Sequence, residues 1–332
     1  MKPRVVSGMR PTGPLHLGHL VGALHNWAAL QDQYDCFYFV ADWHALTSDY
    51  ADTSEIVSSA IDNVADWIAA GIDPERSLIF VQSLVPEHAE LHLLLSMVTP
   101  IPWLERVPTY KEQQEQLGQA GKDLSNYGFL GYPLLQTADV IIYDAQFVPV
   151  GDDQVPHLEL SREVVRRFHN FYGEVFVEPQ PLLTKFPRLP GLDNRKMSKS
   201  YGNAINLSDD AESVRQKVRQ MYTDPKRVRA DIPGTVEGNP VFMYHDAFNP
   251  NADEVEDLKT RYRLGKVGDV EVKTKLAFAL NAMMDPMRER RAAALARPGA
   301  LRDLLFEGSA RARALAAGTM ARVRDAMKIG YR

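Results

Sequence analysis

Two histidines in the stretch PLHLGHLVGALHNW are the first residues whose type and spacing suggest chemistry. His16 and His19 stand on either side of Gly18, where an apolar segment with helical periodicity begins. The N-terminus of a helix favours anions, and imidazole N–H groups donate hydrogen bonds to phosphate oxygens. Two different interpretations remain open: a metal site completed by Asp42 or His44, and two histidines without a chemical role.

The residues before these histidines favour the phosphate interpretation. In GMRPTGPLHLGH, Gly8, Gly13 and Gly18 are interspersed with Pro11 and Pro14. Such a backbone turns sharply after a strand and approaches a ligand closely. The stretch matches neither a G-x-G-x-x-G motif nor a P-loop, so it predicts a different kind of phosphate site.

A pair of lysines about 180 residues later carries the second signal. Lys196 and Lys199 bracket Met197 and Ser198 in RKMSKSYGN. Two lysines in a polar loop are usually solvated surface. By composition, however, KMSKS is expected by chance in about one such chain in ten thousand, and H-x-G-H in about one in a hundred. Their joint occurrence predicts a site at which two separate segments contact phosphates.

Carboxylates at two further places are candidates for binding a ligand. Asp152 and Asp153 in GDDQ follow a strand and open a helix, where acidic groups suit ribose hydroxyls better than phosphates. A cluster of helix N-caps is the alternative. Asp139 lies in LLQTADVIIYD, an otherwise apolar helix in which an unpaired carboxylate would be costly. It is either a polar partner for a buried ligand group or a surface residue of the helix.

The elements that must position these residues alternate between strand and helix over the first 100 residues. The short β-rich runs RVVSG, CFYFVAD and SLIFVQS are separated by longer segments of helical period. This pattern predicts a parallel sheet covered on both faces, with ligands bound beyond the carboxyl ends of its strands. A further strand, ending at Val148 and Val150, precedes another helix. We therefore predict an α/β fold, with a Rossmann-like parallel-sheet nucleotide-binding domain and a mostly helical second domain.

The main connection between the two parts is predicted from Pro179 to Pro190, which is rich in proline and poor in periodicity. The catalytic domain is expected to span 1–190, with an insertion near 103–130, and the KMSKS loop to span 191–205. A helical region is expected over 206–332, and its last helix is a candidate to pack back on the catalytic domain. Asp209 and Glu212 are the expected capping residues of the first helix in this region.

Composition restricts the class of protein. Hydrophobic residues make up 45% and charged residues 24% of the 332 residues, and no apolar run is long enough to span a bilayer. The N-terminal residues do not form a secretory signal, which predicts a cytoplasmic protein. Cys36 is the only cysteine, so an internal disulfide and a multi-cysteine zinc cluster are excluded, and no protein-ligated metal is expected.

Because the net charge is negative, nucleic-acid binding would depend on a local basic surface. The formal charge of −5 argues against general affinity for nucleic acids, but it allows a local basic face. The first of two basic clusters comprises Arg215, Lys217, Arg219, Lys226, Arg227 and Arg229. The second lies in MRERRAAALARP. Each cluster is either a solvated helix face or a phosphate-binding surface.

HLGH and KMSKS, in this order and at this separation, resemble the two signatures of class I aminoacyl-tRNA synthetases. The stretches RPTGPLHLGHLVGAL, ADWHALTS, YPLLQTADVIIYD, VPVGDDQVPHLELSREVVRRF and KMSKSYGNAI together resemble the bacterial tryptophanyl-tRNA synthetases, over essentially the whole chain. The resemblance implies activation of tryptophan with ATP, release of pyrophosphate, and transfer to tRNA(Trp). It also implies Mg²⁺ arriving with ATP, a homodimer, and no membrane partner.

The resemblance further implies roles for three sets of residues. The set implied in catalysis is His16, His19, Lys196 and Lys199. The set implied in ATP binding is Arg10, Pro11, Thr12, Gly18, His19, Gly151, Asp152, Asp153, Leu189, Lys196, Met197, Ser198, Lys199 and Ser200. The set implied in tryptophan binding is Val6, Gly8, Tyr132, Gln136, Asp139, Val148, Val150 and Gln154, with Asp139 reading the indole N–H.

Three positions depart from the usual pattern of these enzymes. His19 stands where asparagine is common, Gln136 where methionine is frequent, and Arg10 where glutamine is frequent, so the amino-acid pocket is expected to differ in detail. Tyrosyl-tRNA synthetases have similar YPLLQ-like and DQ segments, which makes tyrosine the alternative substrate, although TAD followed by VIIYD favours tryptophan. The motifs also leave open a small-molecule adenylyltransferase, and a paralogue with a mainly binding or regulatory role.

Overall fold

A parallel sheet forms the centre of the computed structural model, which describes residues 2–108, 110, 124–183, 189–197, 201–297 and 299–331. In these residues the sheet has the strand order β3-β2-β1-β4-β5. Every strand pair is parallel, and β1 lies in the middle, between β2 and β4. The Rossmann-like α/β prediction is therefore confirmed. The strands are β1 (Arg4–Met9), β2 (Asp35–Val40), β3 (Ser77–Val81), β4 (Phe147–Val150) and β5 (Gln180–Leu183).

Strand β5 occupies part of the segment whose composition predicts a connection without regular structure. Its sequence, QPLL, has no clear alternation, and Pro181 has no N–H for a ladder. An edge strand tolerates proline because only one of its sides is paired, and β5 pairs only with β4. Edge position, which the sequence does not reveal, allows proline in this strand, and the placement of the main connection from Pro179 to Pro190 stays a prediction.

Helices cover both faces of the sheet. Those of the first half are α1 (Leu17–His19), α2 (His25–Leu30), α3 (Asp42–Asp49), α4 (Ile56–Ala69), α5 (Glu87–Ser96), α6 (Ile101–Glu105) and α7 (Tyr127–Ile141). Those of the second half are α8 (Val155–Tyr172), α9 (Ala211–Arg219), α10 (Pro240–Phe248), α11 (Ala252–Arg263), α12 (Asp269–Leu295) and α13 (Ala300–Ala326). A π-helical segment, Leu20–Leu24, joins α1 to α2. None of the described helices is both long and apolar enough to cross a membrane.

Two hydrophobic cores lie on opposite faces of the sheet. The first joins α1, α2 and α4 to the helices α9–α12, with Trp67, Leu276 and Leu280 among its buried members. The second joins α5–α8 to the later turns of α13, with Phe80 and Phe168 among its members. The first core is continuous between the sheet and the helical region, so these two parts of the chain pack as one unit.

The last helix, α13, lies against the edge strand β3. Ser309 Oγ accepts a hydrogen bond from Val81 N at 3.1 Å, and a Cβ on Gly308 would overlap the Ile79 carbonyl oxygen. The helix thus covers a strand edge that would otherwise expose backbone donors. The domain boundaries drawn at 190 and 206 stay predictions, and residues 109 and 111–123 of the expected insertion lie outside the described residues.

Helix α9 begins at a different cap from the predicted one. Asp210 is its N-cap and accepts from Ser213 N at 2.6 Å. Asp209 instead accepts from Asn206 N at 2.8 Å and from Lys217 Nζ at 2.6 Å. Asp209 therefore fixes the segment that leads into the helix, one residue earlier than a cap would.

Candidate functional site

A cavity of about 340 Å³ opens at the carboxyl ends of β1 and β4. Chain connections leave the sheet in opposite directions at this strand pair, which is where ligands bind in open α/β sheets. All eight residues predicted to bind tryptophan line the cavity, together with Arg10 and Gly151 of the predicted ATP set. The eight are Val6, Gly8, Tyr132, Gln136, Asp139, Val148, Val150 and Gln154. The fold thus brings together residues from three separate segments.

Asp139 lies at the buried end of this cavity, on α7, and its carboxylate accepts hydrogen bonds from three side chains. Oδ1 accepts from His88 Nδ1 at 2.5 Å and from Gln82 Nε2 at 2.8 Å. Oδ2 accepts from His44 Nε2 at 2.8 Å and from the same Gln82 amide at 2.9 Å. Of the three donors, only His44 also lines the cavity.

Gln82, the residue after β3, fixes Asp139 relative to α3. Its Nε2 donates to both Asp139 oxygens, while its Oε1 accepts from Trp43 N at 3.1 Å and from His44 N at 3.4 Å. The side chain is fully buried. One amide therefore joins the end of β3, the start of α3 and the middle of α7.

His88 has a partner on each ring nitrogen. Its Nε2 lies 2.6 Å from the Tyr143 hydroxyl, and burial raises the pKa of Tyr143 well above its usual value, so Tyr143 keeps its proton. Because the ionised Asp139 carboxylate can only accept, His88 Nδ1 carries the proton that it donates to Asp139.

The Asp139 network holds a negative charge at the buried end of the cavity. Burial opposes ionisation, but hydrogen bonds from His44 and His88 outweigh it and hold the pKa of Asp139 well below its usual range. Nearby, burial lowers the pKa of His157 to about 4, so this cavity-lining ring is neutral at physiological pH. The cavity thus ends at an ionised group that accepts hydrogen bonds.

The His16–His19 segment, here called the first signature, forms the start of α1. His16 Nδ1 accepts from Gly18 N at 3.2 Å, and His19 Nδ1 accepts from His16 N at 3.1 Å. Because both Nδ1 atoms are acceptors, each neutral ring carries its proton on Nε2. The two rings are 3.9 Å apart, so the segment holds two N–H groups side by side at a helix N-terminus.

The KMSKS stretch is here called the second signature. The first signature pairs with the residues that follow it. Leu17 N donates to Ile205 O at 3.0 Å, and Leu207 N donates to Leu15 O at 2.8 Å. Met197 also lies close, because a Cβ on Gly18 would come within 3.1 Å of its sulfur. Backbone pairing therefore brings the two signatures to one place, although about 180 residues separate them.

A tight turn precedes the described part of the second signature. Gly191 N donates to Arg195 O at 2.7 Å, and Asn203 Nδ2 donates to Asp193 Oδ1 at 2.8 Å and to Lys196 O at 3.2 Å. The Lys196 side chain is exposed. The roles predicted for Ser198, Lys199 and Ser200 fall on residues outside the described part of the chain.

The GDDQ segment forms a short 3-10 turn that leads into α8. Asp152 and Asp153 are exposed, and neither side chain makes a capping bond at Gly151, the N-cap of this turn. Gln154 Nε2 contacts Asp153 Oδ2 at 3.2 Å. The alternative of an N-cap cluster is therefore not what the structure shows, and both carboxylates face solvent at the rim next to Gly151.

The remaining residues of the predicted ATP set lie around the same edge of the sheet. Arg10, one residue beyond β1, has its Nη1 3.4 Å from Ser48 Oγ. Pro11 is buried and Thr12 is partly buried in the loop before the first signature. Leu189 is buried in the first hydrophobic core, before the second signature.

The two basic clusters have different outcomes. In the first, Arg227 is buried against Tyr262 and donates to Ile232 O and Asp269, so it does not belong to a phosphate-binding surface. Arg215 and Arg219 are exposed beside a cavity of about 250 Å³. In the second cluster, the arginines hold α12 in place: Arg288 donates to Asp209 O, Arg290 to Ala69 O and Arg291 to Asp66. The phosphate interpretation is therefore wrong for these three and for Arg227.

Sequence reasoning missed most of the side chains that surround Asp139. The sequence suggests His44 only as a metal ligand, and in the structure it donates to Asp139 instead. Gln82 follows a predicted strand directly, so the rule about carboxyl ends could have indicated it. Nothing local to His88 or His157 indicates a role, because each acts through a partner distant in sequence.

Comparison with known proteins gives a consistent result. A family model described as class I tRNA synthetases (W and Y) matches residues 1–285. The tryptophan–tRNA ligase of Treponema pallidum is 50% identical, covering 99% of this chain and 98% of that protein. The enzyme of the same name from Thermotoga maritima is also 50% identical, covering 99% and 100%. A crystal structure of Campylobacter jejuni tryptophanyl-tRNA synthetase, complexed with ADP and tryptophan, superimposes with a TM-score of 0.87 at 30% identity, covering 98% of this chain and 99% of that one.

Proposed function

The chain belongs to the class I tRNA synthetases for tryptophan and tyrosine, and from this premise we infer that it activates tryptophan with ATP and transfers it to tRNA. The observation that carries this function is the cavity at the β1–β4 switch point, where all eight residues of the tryptophan set converge around a buried ionised carboxylate. Because this reaction supplies protein synthesis, we place the protein in the cytoplasm.

We propose that Asp139 selects tryptophan by accepting the indole N–H. Its oxygens already accept bonds from His44, His88 and Gln82, and only the His44 donor reaches the carboxylate from the cavity. The indole N–H therefore takes the place of the His44 N–H. A substrate side chain without a donor at this position leaves the buried carboxylate short of one, whereas a phenol O–H must reach the same point from a smaller ring to compete. Val6, Val148 and Val150 supply apolar walls for the ring.

Activation of the amino acid requires no protein nucleophile. A carboxylate oxygen of tryptophan attacks the α-phosphorus and forms a new O–P bond. The bond from that phosphorus to its bridging oxygen breaks, and pyrophosphate leaves with the electron pair. Catalysis then consists of alignment and stabilisation of charge on the phosphates. We propose that His16 and His19 donate Nε2–H bonds to phosphate oxygens, and that Lys196 and Lys199 neutralise the charge that accumulates on pyrophosphate.

The ribose of ATP is proposed to bind at the GDDQ turn. Asp152 and Asp153 are exposed and follow Gly151, which lines the cavity, and carboxylate oxygens accept from hydroxyl groups. Gln154 lines the cavity and would reach the amino-acid end of the adenylate. Arg10, Pro11, Thr12, Gly18, Leu189 and Met197 are proposed to shape the rest of the nucleotide site.

The proposed Mg²⁺ arrives with ATP. In the described residues, no group of three or more His, Cys, Asp or Glu side chains is placed to hold a metal ion. We propose that the ion is held by the phosphate oxygens of ATP. Its contribution is to screen charge on the phosphates.

We propose that α9 and α12 contact tRNA. Arg215 and Arg219 line the 250 Å³ cavity with Lys273, Thr274 and Phe278, and Phe278 is 79% exposed. An exposed aromatic ring flanked by arginines suits an unpaired base and its phosphate. By resemblance, the anticodon region is the part of tRNA(Trp) that binds here.

A homodimer is proposed from an exposed apolar face. Leu93, Met97 and Ile101 recur every four residues and are 54%, 67% and 59% exposed. Surfaces of this kind commonly mark protein–protein contacts. Analytical ultracentrifugation of wild type and of Met97→Glu tests this assignment, since a substitution in a true interface shifts the distribution towards monomer.

Pyrophosphate exchange into ATP tests the proposed function. We expect exchange to depend on tryptophan and not on tyrosine, and exchange driven by tyrosine would refute the assignment. Charging of tRNA(Trp) is the second measurement. A paralogue with only a binding or regulatory role would leave the tRNA uncharged, and a small-molecule adenylyltransferase would show exchange without tryptophan.

A further inference from the structure

Asp66, on α4, is a buried carboxylate outside the cavity that the proposed function does not use. Its side chain is in contact with two different parts of the chain, and the residue is 1% exposed. Arg291 Nε, on α12, donates to Asp66 Oδ1 at 2.7 Å, and the backbone N–H of Leu15 lies near enough to the same carboxyl to lower its pKa. Leu15 directly precedes His16. One carboxylate thus joins the helical region to the first signature.

Asn63, one turn earlier on α4, holds the same loop from its other side. In the orientation that satisfies its amide, Asn63 donates to Gly13 O at 3.1 Å and to Ser59 O at 3.2 Å. The residue is also buried. Helix α4 therefore binds a backbone carbonyl at Gly13 and lies near a backbone N–H at Leu15, two residues apart, which fixes the direction in which the chain enters the first signature.

Arg288, one turn before Arg291 on α12, holds the residues that follow the second signature. Its Nε donates to Asp209 O at 2.9 Å, and Asp209 Oδ2 accepts from Asn206 N at 2.8 Å. Asn206 in turn forms an antiparallel bridge with His16. Residues three apart lie on one face of a helix, so one face of α12 holds the approaches to both signatures.

The environment of Asp66 is unfavourable for an ionised group. Burial raises the pKa of its carboxyl to about 6, even though the hydrogen bond and charge of Arg291 act in the opposite direction. Asp62, on the same helix, adds a second negative charge and pairs with Arg291 Nη2 at 2.9 Å. An apolar or neutral side chain here would fold at least as well, which indicates that the carboxylate serves a purpose other than stability.

We propose that Asp66 is a positioning residue for ATP activation: by binding Arg291 next to the Leu15 backbone, it sets the position of His16 relative to α12. The inference rests on the proposed function, because it assumes that His16 contacts a phosphate. Asp66 itself does not touch the nucleotide. Asp66 acts on the loop that leads into α1. Through Arg291, this loop is linked to α12, the helix that also lines the proposed tRNA surface.

The test compares Asp66→Asn and Arg291→Gln with a matched control, Arg290→Gln. Arg290 Nε also joins α12 to α4, at Ala69 O (2.8 Å), one turn beyond Asp66, but its acceptor is a backbone carbonyl at the end of α4 and not the Asp66 carboxylate. Tryptophan-dependent exchange is measured at varied ATP and at varied tryptophan, with the melting temperature of each variant. We expect the Asp66 and Arg291 variants to lose about 10- to 100-fold in kcat/KM for ATP, because small displacements of a reacting site cost this much.

Three comparisons separate positioning from a loss of structure. The KM for tryptophan is expected to stay within about threefold of wild type, because the Asp139 network lies on α3, α5 and α7. Asp66→Asn is expected to melt at or above the wild-type temperature, because it removes a buried charge whose ionisation opposes folding. Arg291→Lys is expected to recover part of the activity, because an ammonium group still donates to Asp66 but lacks the planar fork that reaches Asp62 as well.

Two results would overturn the inference. One is an Asp66→Asn enzyme that matches Arg290→Gln in kcat/KM for ATP. The other is a loss of activity that follows the melting temperature and raises the KM for tryptophan equally. A wild-type protein without tryptophan-dependent exchange would refute the proposed function instead. ATP binding to wild type and Asp66→Asn by calorimetry would then still decide the inference, since equal affinities would refute it.

Discussion

Replacing Asp139 with asparagine removes one acceptor from the network at the buried end of the cavity and adds a donor. The carboxylate accepts from His88 at 2.5 Å, from His44 at 2.8 Å and twice from Gln82 at 2.8 and 2.9 Å. An amide keeps one oxygen, and its NH₂ group then faces two donors that have lost their acceptor. Each lost hydrogen bond to a charged group is worth about 1.5–3 kcal/mol, so the variant is expected to lose about 3–6 kcal/mol.

The loss is expected to be independent of pH across the neutral range. Burial opposes ionisation of Asp139, but the bonds from His44 and His88 hold its pKa below the value of about 3.9 in an unfolded chain. A carboxylate with a lowered pKa in the folded state stabilises the fold at every pH above the unfolded value. That contribution is lost only as the pH falls through the lower, folded-state pKa.

Urea unfolding and steady-state exchange together measure this effect. Asp144→Asn is the matched control, because Asp144 follows the same helix but forms an exposed pair with Arg322 at 2.7 Å, worth at most about 1 kcal/mol. We expect Asp139→Asn also to lose about 100-fold or more in kcat/KM for tryptophan, because its buried groups no longer match the indole N–H. A variant within about 1 kcal/mol of wild type at pH 7, with an unchanged KM for tryptophan, would show that the network neither stabilises the fold nor reads the substrate.

Three further perturbations test separate parts of the structure. Gly18→Ala places a Cβ within 3.1 Å of the Met197 sulfur, and we expect the KM for ATP to rise about tenfold while the KM for tryptophan is unchanged. The carboxyl of Asp66 has a folded-state pKa of about 6, above its unfolded value, so its ionisation favours the unfolded chain. In urea unfolding, the stability of wild type relative to Asp66→Asn should fall by up to about 3 kcal/mol between pH 4 and 6. It should fall no further above pH 6. Charge reversal at Arg215 and Arg219 should weaken tRNA binding in a filter assay and leave pyrophosphate exchange intact, and equal loss of both would contradict a separate tRNA surface.

The features that the sequence predicts correctly are those with a local signal. Strand β2 is apolar almost throughout and is buried on both faces, as expected for a central strand of a parallel sheet. Val148 and Val150 lie at the end of β4 as predicted. Gly13 has a positive φ of 103°, in agreement with the sharp turn expected before the first signature.

The features that the sequence does not predict depend on partners far along the chain. His88 and Gln82 reach Asp139 across 51 and 57 positions, and no periodicity or motif encodes such a pairing. Arg227 resembles its exposed neighbours in sequence, yet it is buried because it meets the Tyr262 ring and the Asp269 carboxylate. A cluster of basic residues in the sequence therefore forms a basic surface only when the fold leaves each of its members exposed.

The same limit explains why a division into a catalytic domain and a helical region understates their dependence on each other. The arginines of MRERR read as a solvated or phosphate-binding face, but they donate to α4 and to the segment before α9. The first hydrophobic core runs from Leu15 through α4 to α12 without a break. Packed interiors transmit displacement because they hold few voids. A shift of α12 on binding at the proposed tRNA surface would therefore be felt at Asp66 and Leu15, and through them at His16, before any contact with ATP is made.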